Sequence, residues 1–275
     1  NNEVIPVRWV QFRVPIGEAD RAVNGISDLR SIRFMRMYLS EFNQNTTLRF
    51  GTLELVRGDY RRYLQSLEAD NDDPSDDNTE FENEAVNILQ NEQREPIPYV
   101  LPPGVFREEL NNNNNIIRQN EQSLALRVCG LESEDARGAY KNFNVDMRQY
   151  KNLEMFIHAE SLVDEMMITD GEMEAFIRLG NDLNTSFYEI RIPLNITSPG
   201  ASTAEDIWPI GNRINLPLEL LQAAKTMVYG PTGAPRDENF DPTQTQFFMQ
   251  SELGEYSGPE NELQIGIRGN PSFGN

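Results

Sequence analysis

Three runs of alternating apolar and polar positions lie between residues 152 and 196. In the first, Leu153, Met155, Ile157 and Ala159 share one parity against Asn152, Glu154, Phe156 and His158. In the second, Met173, Ala175, Ile177 and Leu179 alternate with Glu172, Glu174, Phe176 and Arg178; in the third, Tyr188, Ile190, Ile192, Leu194 and Ile196 oppose Glu189, Arg191 and Asn195. A period of two places the apolar set on the buried face of a strand. The turn-forming groups Asp170-Gly171 and Gly180-Asn181-Asp182 separate the runs. The pattern predicts a meander of antiparallel strands packed face to face against a second sheet.

The remainder of the chain reads in the same terms, with one change of period. Residues 4–16 are bracketed by Pro6 and Pro15, which suits an edge strand. Residues 26–42 and 46–56 read as long strands. Apolar side chains on both parities of 32–39 suit a strand covered on both faces, and Gly51 sits where a bulge belongs. Residues 81–90 read as a strand and turn, 94–105 as a proline-fixed extended segment, 123–131 as a central strand, and 135–140 as a single helical turn. Over 214–227 the spacing becomes about 3.6. Leu218, Leu221, Ala224 and Met227 then share a helix face, with Pro217 suited to the first turn. Residues 229–258 are turn-rich, and 262–270 return to strand.

The order of elements in the first 66 residues loosely repeats in the later part: a strand entry near Leu29 and again near Leu153, a second strand, then aromatic residues at Tyr60 and Tyr63 and again at Phe187 and Tyr188. The expected fold is therefore mainly β, built of antiparallel jelly-roll-like β-sandwich units with one short amphipathic helix. Residues 1–66 form an incomplete β-sandwich unit, 67–80 an acidic mobile linker, and 81–275 a second jelly-roll-like β-sandwich. The strands of 4–64 are too few to close two sheets, so that unit exposes an edge or an apolar face that something must cover.

Charge narrows the partners. Against 24 Lys and Arg the 275-residue chain sets 44 Asp and Glu, a net charge of −20 that repels nucleic-acid phosphates and anionic headgroups. Much of this charge lies in 68–84, which carries Asp70, Asp72, Asp73, Asp76 and Asp77 and no base. Such a run buries too little apolar surface to offset its ordering entropy. Its spacing lacks the glycine and bidentate Glu of a calcium loop, so no bound ion is expected.

Catalytic chemistry is sparse. His158 is the single histidine and lies on the polar parity of its strand; Cys129, the single cysteine, sits in the strand-like run LALRVCGL and reads as a small hydrophobe. No P-loop, HExxH or Gly-x-Ser-x-Gly pattern occurs, and the expectation is no enzyme activity, no cofactor and no metal, with no catalytic residue to assign. No apolar run reaches the roughly 18 residues of a membrane helix. Two function classes remain: a structural and interaction domain of a larger extracytoplasmic protein, or a carbohydrate-binding module that stacks sugars on exposed Trp9, Tyr188 and Trp208.

The wording of several stretches favours the first class. PVRWVQFRVPI, ISDLRSIRFMRMYLSEF, TLRFGTLELVRGDYRRY, PIPYVLPPGVFRE, NEQSLALRVCGL, ARGAYKNFNVDMRQYKNLEMFIHAE, GEMEAFIRLGND, FYEIRIPL and IRGNPSFG resemble, in similar order and spacing, the SprA (Sov) family. These are very large outer-membrane translocons of type IX secretion and gliding motility in Bacteroidetes. The resemblance omits mainly the acidic linker and 229–258. It implies an extracytoplasmic, outer-membrane-associated segment whose partners are other parts of the same translocon chain, secretion-system proteins and secreted cargo. It carries over no catalytic residue.

Overall fold

The apolar parity of the third alternating run is withdrawn from water over 188–194: Tyr188, Ile190 and Ile192 are at most 1% exposed and Leu194 is 6% exposed. The computed structural model describes residues 10, 12, 14, 35–51, 53, 60–63, 67, 79–112, 115–142, 145–162, 167–254 and 263–272. The chain divides into two compact units, Asn1–Leu55 and Val56–Asn275.

In the second unit the strands are β1 (Arg61–Arg62), β2 (Glu80–Asn87), β3 (Glu109–Asn112), β4 (Asn115–Arg118), β5 (Gln122–Cys129), β6 (Ala139–Tyr140), β7 (Asn152–Met155), β8 (Glu174–Gly180), β9 (Phe187–Pro193), β10 (Ile214–Pro217), β11 (Gln246–Met249) and β12 (Gln264–Arg268). The helices are α1 (Ile88–Asn91), α2 (Ala204–Ile207), α3 (Glu219–Val228) and α4 (Gln250–Leu253). Among the described residues every strand pair is antiparallel, and the architecture is mainly β.

One four-stranded sheet, in the order β11-β12-β9-β8, carries the core. From β9 and β12 it presents Tyr188, Ile190, Ile192, Ile265 and Ile267. The layer packed on them is the ribbon β7–β10, which supplies Ile214 and Leu216, together with α3, which supplies Leu220, Leu221, Ala224 and Val228. Each fully buried Leu or Ile contributes about 1.5–3 kcal/mol of transfer free energy, so this seam dominates the stability of the unit.

Several local readings change. The first alternating run does not continue the meander: β7 pairs with β10, setting Leu153 against Leu216, while β8 and β9 form the hairpin by themselves. Alternation fixes which face of a strand is buried but not which neighbour it finds. The helix is present and Leu218, Leu221 and Ala224 are buried as expected, but Met227 is 54% exposed and the buried set extends to Leu220 and Val228. Pro217 closes β10 rather than opening the helix. Residues 135–140 hold no helical turn; a turn ends at Asp135, whose N–H donates to Glu132 O, and Ala139–Tyr140 pairs with β1. Within 229–258, β11 and α4 are additional elements.

Two glycines are dictated by close approach. A Cβ on Gly180 would stand 2.3 Å from Ser186 O, where the β8–β9 hairpin closes. A Cβ on Gly266 would meet the Phe247 ring at 2.7 Å. The six residues between β8 and β9 are ordered by Asp182. Its Oδ1 accepts from the backbone N–H of Asn184, Thr185 and Ser186 at 2.9, 2.5 and 3.1 Å. Burial pushes its carboxyl up, but these donors outweigh it and hold the group below its usual range.

In the first unit, the described residues 35–51 and 53 are exposed and carry no strand pairing among the described residues. Trp9, Pro6, Pro15 and all of 26–34 lie outside the described residues, as does the acidic linker apart from Leu67, Thr79 and Glu80.

Candidate functional site

His158 is the natural starting point for any chemistry, and its surroundings are fully committed. It lies just beyond β7, 19% exposed at the side chain, with Nδ1 2.9 Å from Ile207 O and 3.1 Å from Thr197 Oγ1. Nε2 is 3.3 Å from Glu160 Oε2, and Arg94 grips both carboxylate oxygens of Glu160. Burial pushes the Glu160 carboxyl up, while the hydrogen bonds from His158 and Arg94 together outweigh it and hold the group below the usual range. Thr197, His158 and Glu160 thus stand in the sequence of a nucleophile, a base and an orienting acid. The carbonyl of Ile207 is nearer to Nδ1 than the Thr197 hydroxyl is, and Thr197 is only 5% exposed. The cluster ties together the segments around Arg94, His158 and Thr197–Ile207.

Trp208 seals the same region. It is 8% exposed, packs with Ile97 and Ile207, stands edge-on to Tyr99 and His158, and donates from Nε1 to Val100 O at 3.0 Å. Tyr188 is 1% exposed, and burial pushes its hydroxyl well above the ordinary phenol range. Neither ring presents a face to solvent on which a sugar could stack. Trp9 lies outside the described residues.

The polar parity of β8 and β9 is a buried ion network that sequence reading passed over. Glu189, 1% exposed, accepts from Arg178 Nε at 2.6 Å and from Arg191 Nη2 at 2.7 Å. Arg178 stacks on Phe187 and Phe176, and Arg191 lies over Phe247. Arg178 also donates to Leu183 O and Leu67 O, tying Leu67 to the hairpin within the second unit. Alternation alone marked these residues as solvent-facing; the aromatic side chains interleaved on the same face were the signal that this side is covered too. The described residues hold no group of three or more His, Cys, Asp or Glu able to bind a metal. No described helix is long and apolar enough to cross a membrane.

Large apolar side chains in the first unit present the opposite situation. Met35, Met37, Tyr38, Leu39 and Phe42 are 51–80% exposed, and Leu48, Phe50 and Leu53 are 47–69% exposed. Large exposed apolar side chains are thus concentrated along 35–53 of the first unit.

A family profile described as SprA_N, motility related/secretion protein, matches residues 1–275. The chain belongs to the SprA_N family. No curated protein matches it. SprA_N membership extends over both compact units, so the exposed apolar residues of the first and the buried core of the second belong to one family module. It also bears out the resemblance carried by the collinear stretches from PVRWVQFRVPI to IRGNPSFG, none of which is a catalytic signature.

Proposed function

We propose that this SprA_N segment is a structural and interaction part of an outer-membrane protein-secretion translocon serving type IX secretion and gliding motility. It acts by contact, without catalysis, and its partners are other parts of the same translocon chain, secretion-system proteins and passing cargo. The observation that carries this reading is the run of exposed apolar side chains from Met35 to Leu53 in a chain of the motility and secretion family. Each such side chain left in water forgoes about 1.5–3 kcal/mol of burial, so the segment gains most by meeting another protein surface or an apolar phase. The committed hydrogen bonds of His158 support a non-catalytic role. The burial of Tyr188 and Trp208 weighs against the sugar-binding alternative.

Peroxide footprinting tests the reading. Met35 and Met37 are 53% and 56% exposed, and Met227 on α3 is 54% exposed, so all three oxidise at similar rates in the isolated chain. In cell envelopes containing the intact protein, Met35 and Met37 are expected to be protected relative to the isolated chain. Unchanged oxidation of both in envelopes overturns the proposal.

A further inference from the structure

The ribbon β2–β5 is eight residues long and stands apart from the four-stranded sheet. Its two edges are treated differently. On the β2 side, Arg62 Nη1 donates to Phe81 O at 3.2 Å and Asn83 Nδ2 donates to Tyr60 O at 3.0 Å, so side chains and the neighbouring β1 close that edge. On the β5 side, no described strand pairs with Gln122–Cys129, and none of their backbone groups bonds to a described residue outside the ribbon. Half of the N–H and C=O groups of an antiparallel strand point away from its one partner, so β5 offers a regular row of donors and acceptors.

Arg127 is the one charged side chain on β5, and no other feature of the strand blunts that row. An exposed edge is ordinarily protected by lysine, proline, a bulge or short length, yet QSLALRVC contains neither residue and pairs without a bulge along its full length. On one face Leu124 and Leu126 are 39% and 52% exposed, continuing the row set by Phe81 and Val128. The opposite face carries Glu80, Glu82 and Glu84 on β2 against the single base Arg127, while Glu121 and Glu132 flank the strand at its two ends. The ribbon thus carries an apolar row on one face, with Asn83 beside it, and is set in a negative field. A second copy would bring another net charge of −20 to the same surface.

We propose that the free edge of β5 accepts an added strand from a partner polypeptide whose side chains alternate apolar and basic. The partner's backbone completes the ladder, its apolar side chains extend the Leu124–Leu126 row, and its basic side chains are drawn by the surrounding carboxylates. This names a surface and a partner chemistry for the interaction role proposed above and rests on that reading for its biological setting; strand addition itself is testable on the isolated chain.

The test uses the full 275-residue chain and a fluorescein-labelled peptide of about nine residues, the length of an ordinary strand, alternating lysine and valine. A peptide with glutamate in place of lysine is the control. Anisotropy is expected to report binding of the lysine peptide, weakening as salt is added, and no binding of the glutamate peptide. Hydrogen exchange is expected to slow at alternate amides within 122–129. Leu126→Lys, at a half-exposed position, is expected to leave the melting temperature unchanged and to weaken binding by about tenfold or more, the equivalent of about 1.4 kcal/mol. Leu124→Lys provides a second, independent variant with the same expectation. Failure of the lysine peptide to bind overturns the proposal, as does equal affinity in both variants or protection that maps outside β5. Sedimentation showing a dimer that Leu126→Lys dissolves also overturns it, in favour of a second copy of the chain. Protection of Met35 and Met37 is read separately, so loss of the translocon reading and loss of the β5 site are distinguishable.

Discussion

Glu189 on β9 and Arg178 on β8 face each other across one register position and meet at 2.6 Å, with the carboxylate 1% exposed and a second guanidinium, Arg191, on its other oxygen. Removing one partner of a buried pair leaves the other uncompensated, which costs about 3–5 kcal/mol. Glu189→Ala is therefore expected to destabilise the second unit by that amount, measured as a fall in the urea midpoint with an unchanged slope. Glu189→Gln, which keeps an acceptor but loses the charge, should fall between it and the wild type. A loss below 1 kcal/mol in the alanine variant would show that water reaches the two arginines.

Asn212 is completely buried and stands in for a strand: its Oδ1 accepts from Asn195 N–H at 2.8 Å and its Nδ2 donates to Asn195 O at 2.9 Å. Asn212→Ala strips both backbone groups of their partner, and an unsatisfied buried group costs about 1–3 kcal/mol. Asn215→Ala, whose side-chain bond runs to the exposed Asn152, should lie within about 0.5 kcal/mol of wild type. Thermal unfolding of the two variants side by side distinguishes these positions, and equal stability of both would remove Asn212 from the framework.

Acid sensitivity follows from Glu160 and Asp182, both held below their usual ranges. A carboxyl whose folded value is depressed contributes stability that is fully present above its unfolded value, about 4.3 for Glu and 3.9 for Asp, and that is lost as pH falls through the folded value. Stability should therefore be flat from neutral pH to about 5 and decline below it. In Glu160→Gln and Asp182→Asn the decline should be shallower, because each removes one group that binds a proton more readily in the unfolded chain. An unchanged acid limb in both variants would refute this assignment.

How far the sequence could be read depends on what each pattern encodes. The parity of Tyr188, Ile190 and Ile192 located a buried face because burial is local to the strand, and the change of period at Leu218 located α3 for the same reason. The pairing of β7 with β10 was hidden because Leu153 and Leu216 are joined through an intervening hairpin and loops, and no local pattern states a long-range partner. β11 was hidden among turn residues because Phe247 and Phe248 follow too short an alternation to stand out. The Glu189 network was hidden because a charged parity ordinarily means water, and only Phe176, Phe187 and Phe247 reveal a second cover. Arg94, which completes the His158 cluster, lies far away along the chain and carries no motif.

Trp208 separates the interaction reading from the sugar-binding one. Its ring fills a small core with Ile97 and Ile207, and its Nε1–H satisfies the carbonyl of Val100, so it is structural on both its apolar and polar sides. Truncation of a buried aromatic costs about 3–5 kcal/mol, and Trp208→Ala should show that loss as a lowered melting temperature. Trp208→Phe keeps most of the packing against Tyr99 and His158 and loses chiefly the hydrogen bond, for a cost of about 1 kcal/mol. On a glycan array the wild-type chain is expected to stay at background, since an aromatic platform for sugars needs an open ring face and Trp208 is only 8% exposed. Array binding that disappears in a folded Trp208→Phe variant would reverse the assignment, because a purely structural tryptophan can be exchanged for phenylalanine without any effect on a ligand it does not touch.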